Sequence, residues 1–511
     1  MIIIAHNNNE VSSVFDIRTQ NAIIIDYGKP IQTLLCLAKK YPDQILVWCH
    51  DSYKDIIDIE VIKSAFYIKN LMISYGYQNY FPDEIGYVED SPFLKVNKKV
   101  KFPTWLMSSA VGAIYASQLI KFEGVIDQRD SLDYILNSIA KLGMPNGLFC
   151  YSDPSLLKRK SELKPLEKAS YKELFKFVGQ HYKKVWSFIL FLDFAVYRRK
   201  ILVAEFAKSY FKKRIIVETC NEFEPLKLDI INTKTTIDVI IPTIGRKIYL
   251  YDVLVDLSKQ SILPQNVIIV EQNENSGSIS ELDYIETDKW PFNIIHKFIH
   301  RTGACNARNL ALEDVTSNYV FLADDDIRLT KNIIRDGLVF MDQNKISALT
   351  FSCLRENETN KYPNIVQWAT FGSGCSIIDY SKLNNVKFNM ALEHGFGEDM
   401  DFGMQIRNQG IDVVYHPDIK LVHLKAPIGG FRSTFKHPWL LDAIQPKPSP
   451  TVMLHRIRNT TYCQLLGYKT MLKIKYYRVQ HIKNPFKYSK VFNKQWKQSE
   501  FWANKLNELY N

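Results

Sequence analysis

The sequence predicts an α/β protein with two helix-covered sheet units, a helical connector between them and a basic helical tail. Short β-like runs alternate with helical segments over residues 1–152 and again from residue 236. Residues 153–214 have helical period with few breakers, and 511 residues exceed what one ordinary core accommodates. The expected divisions are an N-terminal α/β domain, a connector with linker, a second α/β domain and a tail, at 1–152, 153–235, 236–440 and 441–511.

The N-terminal unit is predicted from three apolar runs, "AIIIDYG", "QILVWCH" and "GLFCYSD", with the helical segment "IQTLLCLAKKY" between the first two. The polar segment 221–236 lacks strong periodicity and marks a boundary. After it a new strand begins, "IDVIIPTIGR", followed by the strands "NVIIVEQNE", "FNIIHKFI" and "YVFLADDD" with helical segments between them. This alternation predicts a mixed, mostly parallel sheet, whose ligands bind beyond the carboxyl ends of the strands.

Cysteine spacing, apolar runs and the distribution of charge limit the classes of protein to which this sequence can belong. The eight cysteines are scattered without metal-ligand spacing, which predicts reduced thiols in a cytoplasmic protein. The opening segment lacks the pattern of a signal peptide, and Asp193 interrupts the longest apolar run, so no membrane-spanning helix is expected. Most of the net charge of +11 lies after Thr451, where 12 Lys and Arg residues outweigh 2 Glu residues to give 12 − 2 = +10.

Three consecutive aspartates, Asp324, Asp325 and Asp326, follow the apolar run "VFLA". Adjacent carboxylates repel one another, and a divalent cation with oxygen ligands relieves that repulsion. An acidic turn or helix cap explains a lone triplet equally well. The surrounding motifs decide between a metal site and a turn.

Seven motifs in one order over residues 238–432 resemble those of a family 2 glycosyltransferase with the GT-A fold. They are "VIIPTIGR", "LSKQSILPQNVIIVEQNE", "RTGACNARNLAL", "FLADDDI", "FGSGCSIIDYSKL", "HGFGEDMDFGMQIRNQG" and "HPDIKLVHLKAP". The resemblance covers well under half of the chain, but seven motifs in the right order are hard to obtain by chance. It implies transfer of a sugar from a nucleotide-sugar donor with the help of Mn²⁺ or Mg²⁺.

The resemblance also implies roles for individual residues. Asp324, Asp326 and His423 are expected to meet the metal, and Asp325 the donor sugar or ribose. The remaining donor contacts are expected from Pro242, Thr243, Arg246, Glu271, Gln272, Arg308 and Asn309. Glu271 and Gln272 depart from the more common pair of aspartates. The departure leaves open whether the site recognises uridine, guanine or thymidine in the donor nucleotide, and a UDP-linked donor is expected. For His423 and Arg308 the sequence leaves a purely structural role open.

The acceptor hydroxyl must lose its proton as it attacks the sugar, which requires a carboxylate base. The segment "GEDMD" supplies Glu398, Asp399 and Asp401. The resemblance assigns the base to Asp399 and acceptor hydroxyl contacts to Glu398. Carboxylates in this position also favour the first turn of a helix, and the two roles are compatible.

The flanking regions complete the prediction. Residues 1–152 lack a clean pair of metal-binding aspartates, so either a degenerate GT-A-like unit or a different α/β unit fits. The tail interleaves basic and aromatic residues, which suits an anionic membrane surface on the inner face of the cytoplasmic membrane, although a solvated helical face has the same composition. A glycan or polyprenyl-linked acceptor is expected, and nucleic acid is not.

Two other functional classes fit parts of the sequence. A noncatalytic scaffold or glycan-binding subunit of a polysaccharide assembly complex would keep the fold without both sets of carboxylates. A nucleotidyltransferase would also bind metal through aspartates, but it would carry more glycine after the first strand than "IPTIGRK" does. The favoured reading is a metal-dependent, inverting glycosyltransferase in surface polysaccharide synthesis.

Overall fold

The computed structural model describes residues 1–24, 28–158, 167–217, 223–224, 226, 235–427 and 435–510. The chain divides into two compact units. The first comprises residues 1–223 and 460–479, and the second comprises residues 224–459 and 480–511. Most of the polar boundary segment that precedes residue 236 lies outside the described residues.

The first unit is an α/β unit. Its strands are β1 (Ile2–His6), β2 (Val11–Asp16), β3 (Asn21–Ala22), β4 (Ile45–His50), β5 (Leu71–Ser74), β6 (Phe102–Pro103), β7 (Val111–Tyr115) and β8 (Phe149–Ser152). Its helices up to residue 210 are α1 (Pro30–Lys40), α2 (Ile59–Ala65), α3 (Ala116–Ile120), α4 (Leu132–Gly143), α5 (Tyr171–His181), α6 (Lys184–Asp193) and α7 (Val203–Tyr210). The strands form one mixed sheet in the order β3-β2-β1-β4-β7-β5-β8-β6.

The predicted connector is helical but is not a separate body, because α5, α6 and α7 belong to the first unit. Leu174, Phe177 and Leu190 on these helices join the apolar core that also contains Trp48 of β4 and Ile135 of α4. Apolar spacing along α5 puts its inward face against that core.

The second unit contains the remaining strands. They are β9 (Ile237–Thr243), β10 (Asn266–Gln272), β11 (Asn293–Ile299), β12 (Tyr319–Ala323), β13 (Ile327–Arg328), β14 (Ala348–Leu354), β15 (Val366–Gln367), β16 (Cys375–Asp379) and β17 (Val413–His423). The helices among them are α8 (Lys247–Ser258), α9 (Tyr284–Thr287), α10 (Ala304–Leu312), α11 (Ile333–Gln343) and α12 (Glu398–Asn408).

The sheet of the second unit is mixed, as predicted. Its order is β11-β10-β9-β12-β16-β14-β17-β13, with β15 paired to β17. The strands β11, β10, β9 and β12 are parallel neighbours, so their carboxyl ends lie at one edge. The core packs Ala307 of α10 and Phe402 of α12 against Ile240 and Leu322 of the sheet. The loops after β9 and β12 therefore reach the same edge.

Three helices follow β17: α13 (Pro450–Asn459), α14 (Tyr462–Val479) and α15 (Pro485–Tyr510). The tail is helical, as predicted, but it is not one region. Helix α14 belongs to the first unit, whereas α13 and α15 belong to the second.

The aromatic residues of α15 do not all face outward. Tyr488, Phe492 and Trp496 recur every four residues and are buried, so they pack within the second unit. On the opposite side of α15, Lys487, Lys490, Lys494 and Lys497 are exposed. Across the parts of the chain that the structure describes, no helix is both long and apolar enough to cross a bilayer.

Candidate functional site

A cavity of about 540 Å³ opens at the carboxyl ends of β9 and β12 in the second unit. It gathers every predicted site residue except Glu271 and Asn309. The predicted residues in its wall are Pro242, Thr243, Arg246, Gln272, Arg308, Asp324, Asp325, Asp326, Glu398, Asp399 and His423. Residues from distant parts of the chain meet here because the sheet brings the ends of its strands together.

The three aspartates after β12 face different partners. Asp325 is buried, and its carboxylate accepts hydrogen bonds from Thr243 Oγ1 at 2.7 Å and from the guanidinium of Arg246. Burial raises the pKa of Asp325 to about 6 and outweighs the opposing effect of Arg246. Asp325 therefore joins the loop after β9 to the loop after β12.

Asp324 is the most open of the three. Its Oδ1 accepts a hydrogen bond from Arg308 Nη2 at 2.9 Å, and its backbone N–H donates to Gly374 O. A Cβ on Gly374 would lie 2.0 Å from Asp324 Oδ2, so only glycine leaves room for this carboxylate. The small-residue loop before β16 thus has a steric function at the site.

Asp326 pairs with His423, at the end of β17. Their Oδ1 and Nε2 atoms lie 3.4 Å apart, and Asp326 Oδ2 accepts a hydrogen bond from Ala426 N at 2.8 Å. Burial opposes ionisation of Asp326, but the hydrogen bonds from His423 and Ala426 and the charge of Arg246 hold its pKa below the ordinary value. The hydrogen bond to Asp326 in turn raises the pKa of His423.

The donor set of the Asp326 and His423 pair fits a divalent cation. Two ligands about 2.1 Å from one cation lie about 3 Å apart when they meet at a right angle. Asp324 is directed to Arg308 instead, and among the described residues no three His, Cys, Asp or Glu side chains are gathered as a metal-binding group. Mg²⁺ and similar ions commonly use one or two protein ligands and complete their shell with phosphate and water.

Asp399 lies in the first turn of α12. Gly397, directly before the helix, has φ of +112°, a conformation that residues with a side chain rarely adopt. The hydroxyl of Ser373 donates a hydrogen bond to Asp399 Oδ1, and the backbone N–H of Ser373 also faces this carboxylate. Asp399 is only partly covered and lines the cavity, so it remains accessible to a substrate hydroxyl.

Glu398 and Asp399 are adjacent carboxylates in the same cavity wall. Burial and the charge of Asp399 raise the pKa of Glu398 to about 7. Burial likewise raises the pKa of Asp399, against the charge of Arg308 and the hydrogen bonds from Ser373. Because the two groups interact, their titration belongs to the pair. The pair is poised to gain or lose a proton near neutral pH.

The third carboxylate of this segment, Asp401, has a structural role. Its Oδ1 accepts a hydrogen bond from Asn459 Nδ2 of α13 at 2.7 Å, and its Oδ2 accepts one from Gln405. Thr451 Oγ1, also on α13, accepts a hydrogen bond from Phe396 N. Helix α13 thus supports the loop that leads into Asp399.

Two predicted donor contacts lie outside the cavity wall. Glu271 is buried, and its carboxylate is engaged by Ser280 Oγ, Glu281 N and His296 Nε2. The side chain of Asn309 donates to Phe388 O and accepts from Phe388 N, which holds that segment against α10. In this structure both side chains are used for internal contacts and are not directed to a ligand.

Several cavity residues were not singled out from the sequence. Ser373 lies in the small-residue loop that the motifs identified, but its bond to Asp399 joins residues 26 positions apart. Glu393 accepts hydrogen bonds from Cys305 N and Asn306 N and so caps the first turn of α10. Arg355 and Lys425 add positive charge to the wall. Their positions depend on tertiary contacts that local motifs do not record.

Comparison with known proteins gives a family for this part of the chain. Residues 238–396 match the model of the family described as glycosyl transferase family 2. A search of curated protein sequences finds no match. The matched range begins at the second residue of β9 and contains the strands from β10 to β16, the three aspartates and the small-residue loop, and it ends directly before Gly397.

Solved structures of glycosyltransferases also match. S. aureus TarS is 20% identical, with a TM-score of 0.31, over 36% of this chain and 35% of that chain. TarS 1-349 in complex with UDP-GlcNAc is 18% identical, with a TM-score of 0.36, over 46% of this chain and 70% of that chain. The mannosyltransferase PcManGT from Pyrobaculum calidifontis, in complex with GDP-Man and Mn²⁺, is 13% identical, with a TM-score of 0.32, over 54% of this chain and 84% of that chain.

The match spans less than two thirds of the first TarS chains, at 35%, 60% and 58% of their lengths. TM-scores of this size support no inference about substrate or activity. The family match rests on the sequence of β9 to β16, and the mixed sheet with its cavity agrees with it. Residues 238–396, in the C-terminal half of the chain, therefore form a family 2 glycosyltransferase domain, and the mixed sheet there is consistent with the GT-A fold.

Proposed function

We propose that the second unit transfers a sugar from a nucleotide-sugar donor to a hydroxyl group of a glycan or lipid-linked acceptor, with inversion at the anomeric carbon. One observation supports this most strongly. A single cavity contains both a cation-type pair, Asp326 and His423, and an accessible carboxylate, Asp399, held by Ser373. Transfer from a nucleotide diphosphate needs one group for the leaving phosphates and another for the acceptor proton.

The nucleotide end of the donor is assigned to the loop after β9 and its neighbours. Pro242, Thr243 and Gln272 line this side of the cavity, and Arg246 is held there by Asp325. Arg308 supplies a buried positive charge next to Asp324, suited to phosphate oxygens. A UDP-linked sugar is the expected donor.

Asp326 and His423 would hold Mn²⁺ or Mg²⁺. When bound, the cation would neutralise charge on the departing diphosphate. Asp324, which pairs with Arg308, would act mainly by fixing that arginine. This assignment changes the sequence-based expectation, in which Asp324 and Asp326 both met the metal.

Asp399 would act as the general base. The acceptor oxygen forms a bond to the anomeric carbon as the bond from that carbon to the diphosphate breaks, and the acceptor proton passes to Asp399. The hydrogen bond from Ser373 orients the carboxylate, and the N-terminus of α12 favours its ionised form. Glu398 would hold acceptor hydroxyls. A direct displacement needs one base and no enzyme nucleophile, which is why inversion is proposed.

The basic face of α15 provides a surface for a lipid-linked acceptor. Lys487, Lys490, Lys494 and Lys497 repeat at intervals of three and four residues and are exposed on one side of the helix, and the nearby Phe486 is 79% exposed. Lysines and an exposed aromatic side chain suit the anionic inner face of the cytoplasmic membrane. We place the protein at that surface, where a polyprenyl-linked glycan would be extended.

The proposal is tested by thermal shift with UDP-, GDP-, CMP- and dTDP-sugars, each with and without Mn²⁺. We expect one nucleotide class to raise the melting temperature only when Mn²⁺ is present, and Asp326→Ala to abolish the effect. Asp418→Ala is the matched control, because Asp418 is an exposed aspartate on β17. If no nucleotide sugar stabilises the protein, the cavity is not a donor site and a scaffold role becomes the better explanation.

A further inference from the structure

The sheets of the two units share one plan. In the second unit β9, β12, β16, β14 and β17 are neighbours, related in turn as parallel, antiparallel, antiparallel and parallel. In the first unit β1, β4, β7, β5 and β8 have the same relations. In both units the chain visits these five positions in the same sequence, crossing from the second position to the fourth before returning to the third. Five strands with one order and one set of directions indicate a repeated unit.

The strand pairings also show which individual residues of the two sheets correspond. When β7 is matched to β16 from their first residues, the pairings match Ile45, the first residue of β4, to Tyr319, the first residue of β12. Two backbone hydrogen bonds then coincide. His50 N donates to Ala110 O, as Asp324 N donates to Gly374 O, and Ala116 N donates to Gln44 O, as Tyr380 N donates to Asn318 O.

The same match pairs Ser109 with Ser373, each two residues before its strand, and Asp133 with Asp399, each the second residue of the next long helix. The contacts agree. Ser109 Oγ donates to Asp133 Oδ2 and Ser109 N to Asp133 Oδ1, each at 2.7 Å, and Ser373 bonds Asp399 through the same two groups. A serine and an aspartate that meet in the same way at matched positions go beyond a shared sheet topology.

In the first unit, the positions that correspond to the proposed donor site carry different residues from those of the second unit. His50, Asp51 and Ser52 occupy the positions of Asp324, Asp325 and Asp326, so two of the three carboxylates are absent there. Ala110 replaces Gly374, the residue that must lack a Cβ for Asp324 to fit. The matched positions in the first unit therefore lack the groups proposed to hold Arg308 and the cation.

Asp133, which corresponds to the proposed base Asp399, is closed off from solvent. Asp133 is 6% exposed and Ser109 is fully buried, and both carboxylate oxygens of Asp133 are bonded to Ser109. His6, fully buried, contacts Ser109 O through Nε2. Asp399, by contrast, borders the open cavity. No acceptor hydroxyl could reach Asp133 without opening the core.

We propose that the first unit is a second copy of the glycosyltransferase sheet in which the donor site has been closed. The chain would then have one donor site, and Asp133 would stabilise the fold where Asp399 acts in transfer. The donor count rests on the proposed function, whereas the repeat rests on the strand plan alone. A chain with two transferase sheets would otherwise be expected to bind two donors and to add sugars at two sites.

The test is the binding stoichiometry of UDP, GDP and dTDP, each with Mn²⁺, on the full chain by isothermal titration calorimetry. We expect one nucleotide per chain and complete loss of binding in Asp326→Ala. Asp133→Asn should leave the stoichiometry and Kd unchanged and lower the melting temperature. Ser109→Ala removes the hydrogen bond from Ser109 Oγ to Asp133 Oδ2, and this variant serves if Asp133→Asn does not fold.

Each outcome is decisive. Two nucleotides per chain in the parent, with one of them retained in Asp326→Ala, would overturn the closed site and leave the proposed function standing. Loss of nucleotide binding in a folded Asp133→Asn or Ser109→Ala protein would also overturn it. No binding of any of the three nucleotides would overturn the proposed function, and the donor count with it.

Discussion

The hydroxyl of Ser373 donates a hydrogen bond to the carboxylate of Asp399, and the backbone N–H of Ser373 faces the same group. The bond joins the loop before β16 to the first turn of α12. A general base must point at the proton it accepts, and this contact fixes that direction.

Replacing the two members of this pair should affect turnover unequally. Asp399→Asn removes the base and should lower kcat by about 10²- to 10⁴-fold. Ser373→Ala leaves the base but removes a hydrogen bond to a charged group, and should lower kcat by about 10- to 100-fold. Steady-state rates with saturating donor measure both. Ser381→Ala, which removes a similar bond to Asp379 outside the cavity, is the control and should leave kcat unchanged. Equal rates for Ser373→Ala and the parent would contradict the positioning role.

The rate should depend on pH. The general base, Asp399, acts in its ionised form, and burial raises its pKa above the ordinary value of an aspartate. The rate is therefore expected to be full at high pH and to fall as the pH drops through the raised pKa of Asp399. In Glu398→Gln the neighbouring negative charge is absent, so the pKa of Asp399 should fall and the profile should move to lower pH. Profiles of kcat against pH test this.

Glu356→Gln is the control for the pH profile, because Glu356 is an exposed glutamate of the same unit. Its profile should match that of the parent. A profile for Glu398→Gln that stays in place, or moves to higher pH, would mean that the two carboxylates do not share their titration.

Metal affinity should separate the three aspartates. Asp326→Ala and His423→Ala each remove a proposed ligand and should weaken Mn²⁺ binding by at least about 10-fold. Asp324→Ala should weaken it less, because Asp324 pairs with Arg308. Titration of bound Mn²⁺ by electron paramagnetic resonance, in the presence of nucleotide, distinguishes the three variants. If Asp324→Ala loses more Mn²⁺ affinity than Asp326→Ala, the ligand assignment is wrong.

Gly374 should not tolerate a side chain. In Gly374→Ala the new Cβ would lie 2.0 Å from Asp324 Oδ2, so Asp324 would move and its bond to Arg308 would be lost. We expect loss of nucleotide binding with a folded protein, measured by calorimetry and circular dichroism. Gly277→Ala is the control, because a Cβ there lies 3.6 Å from its nearest neighbour. Unchanged nucleotide affinity in Gly374→Ala would contradict the role of Asp324.

The outward face of α15 should bind anionic lipid. Each lysine near such a surface is worth about 1 kcal/mol, so reversing Lys487, Lys490, Lys494 and Lys497 to Glu should abolish cosedimentation with vesicles of phosphatidylglycerol and phosphatidylcholine. Reversal of four exposed lysines elsewhere on the second unit should have a much smaller effect, and these are Lys289, Lys331, Lys361 and Lys420. If both variants cosediment with the anionic vesicles to the same extent, this face has no specific role in binding. The same follows if the parent protein binds pure phosphatidylcholine vesicles as well as it binds the anionic vesicles.

Local pattern predicted much of the second unit correctly. Buried apolar runs that end in polar residues indicated β9, β10 and β12, and the carboxyl ends of parallel strands meet at one edge whatever their distance in the chain. Together with the resemblance, this was enough to predict the cavity that contains Thr243, Asp325 and Asp399. The aspartate triplet after β12 indicated a site because adjacent carboxylates repel one another, and a bound cation or a positively charged partner would relieve that repulsion.

The sequence by itself determined which segments form strands and helices, and which edge of the second sheet collects the polar residues. Only the tertiary structure decided the partner of each side chain. Glu271 was predicted to meet a nucleotide and instead contacts His296, on the neighbouring strand β11. Asn309 holds Phe388, and α14 belongs to the first unit. The matched pair Ser109 and Asp133 became visible only through strand pairing. The physical reason is that apolar periodicity reports burial, whereas the partner of a buried polar group depends on contacts between residues far apart in the chain.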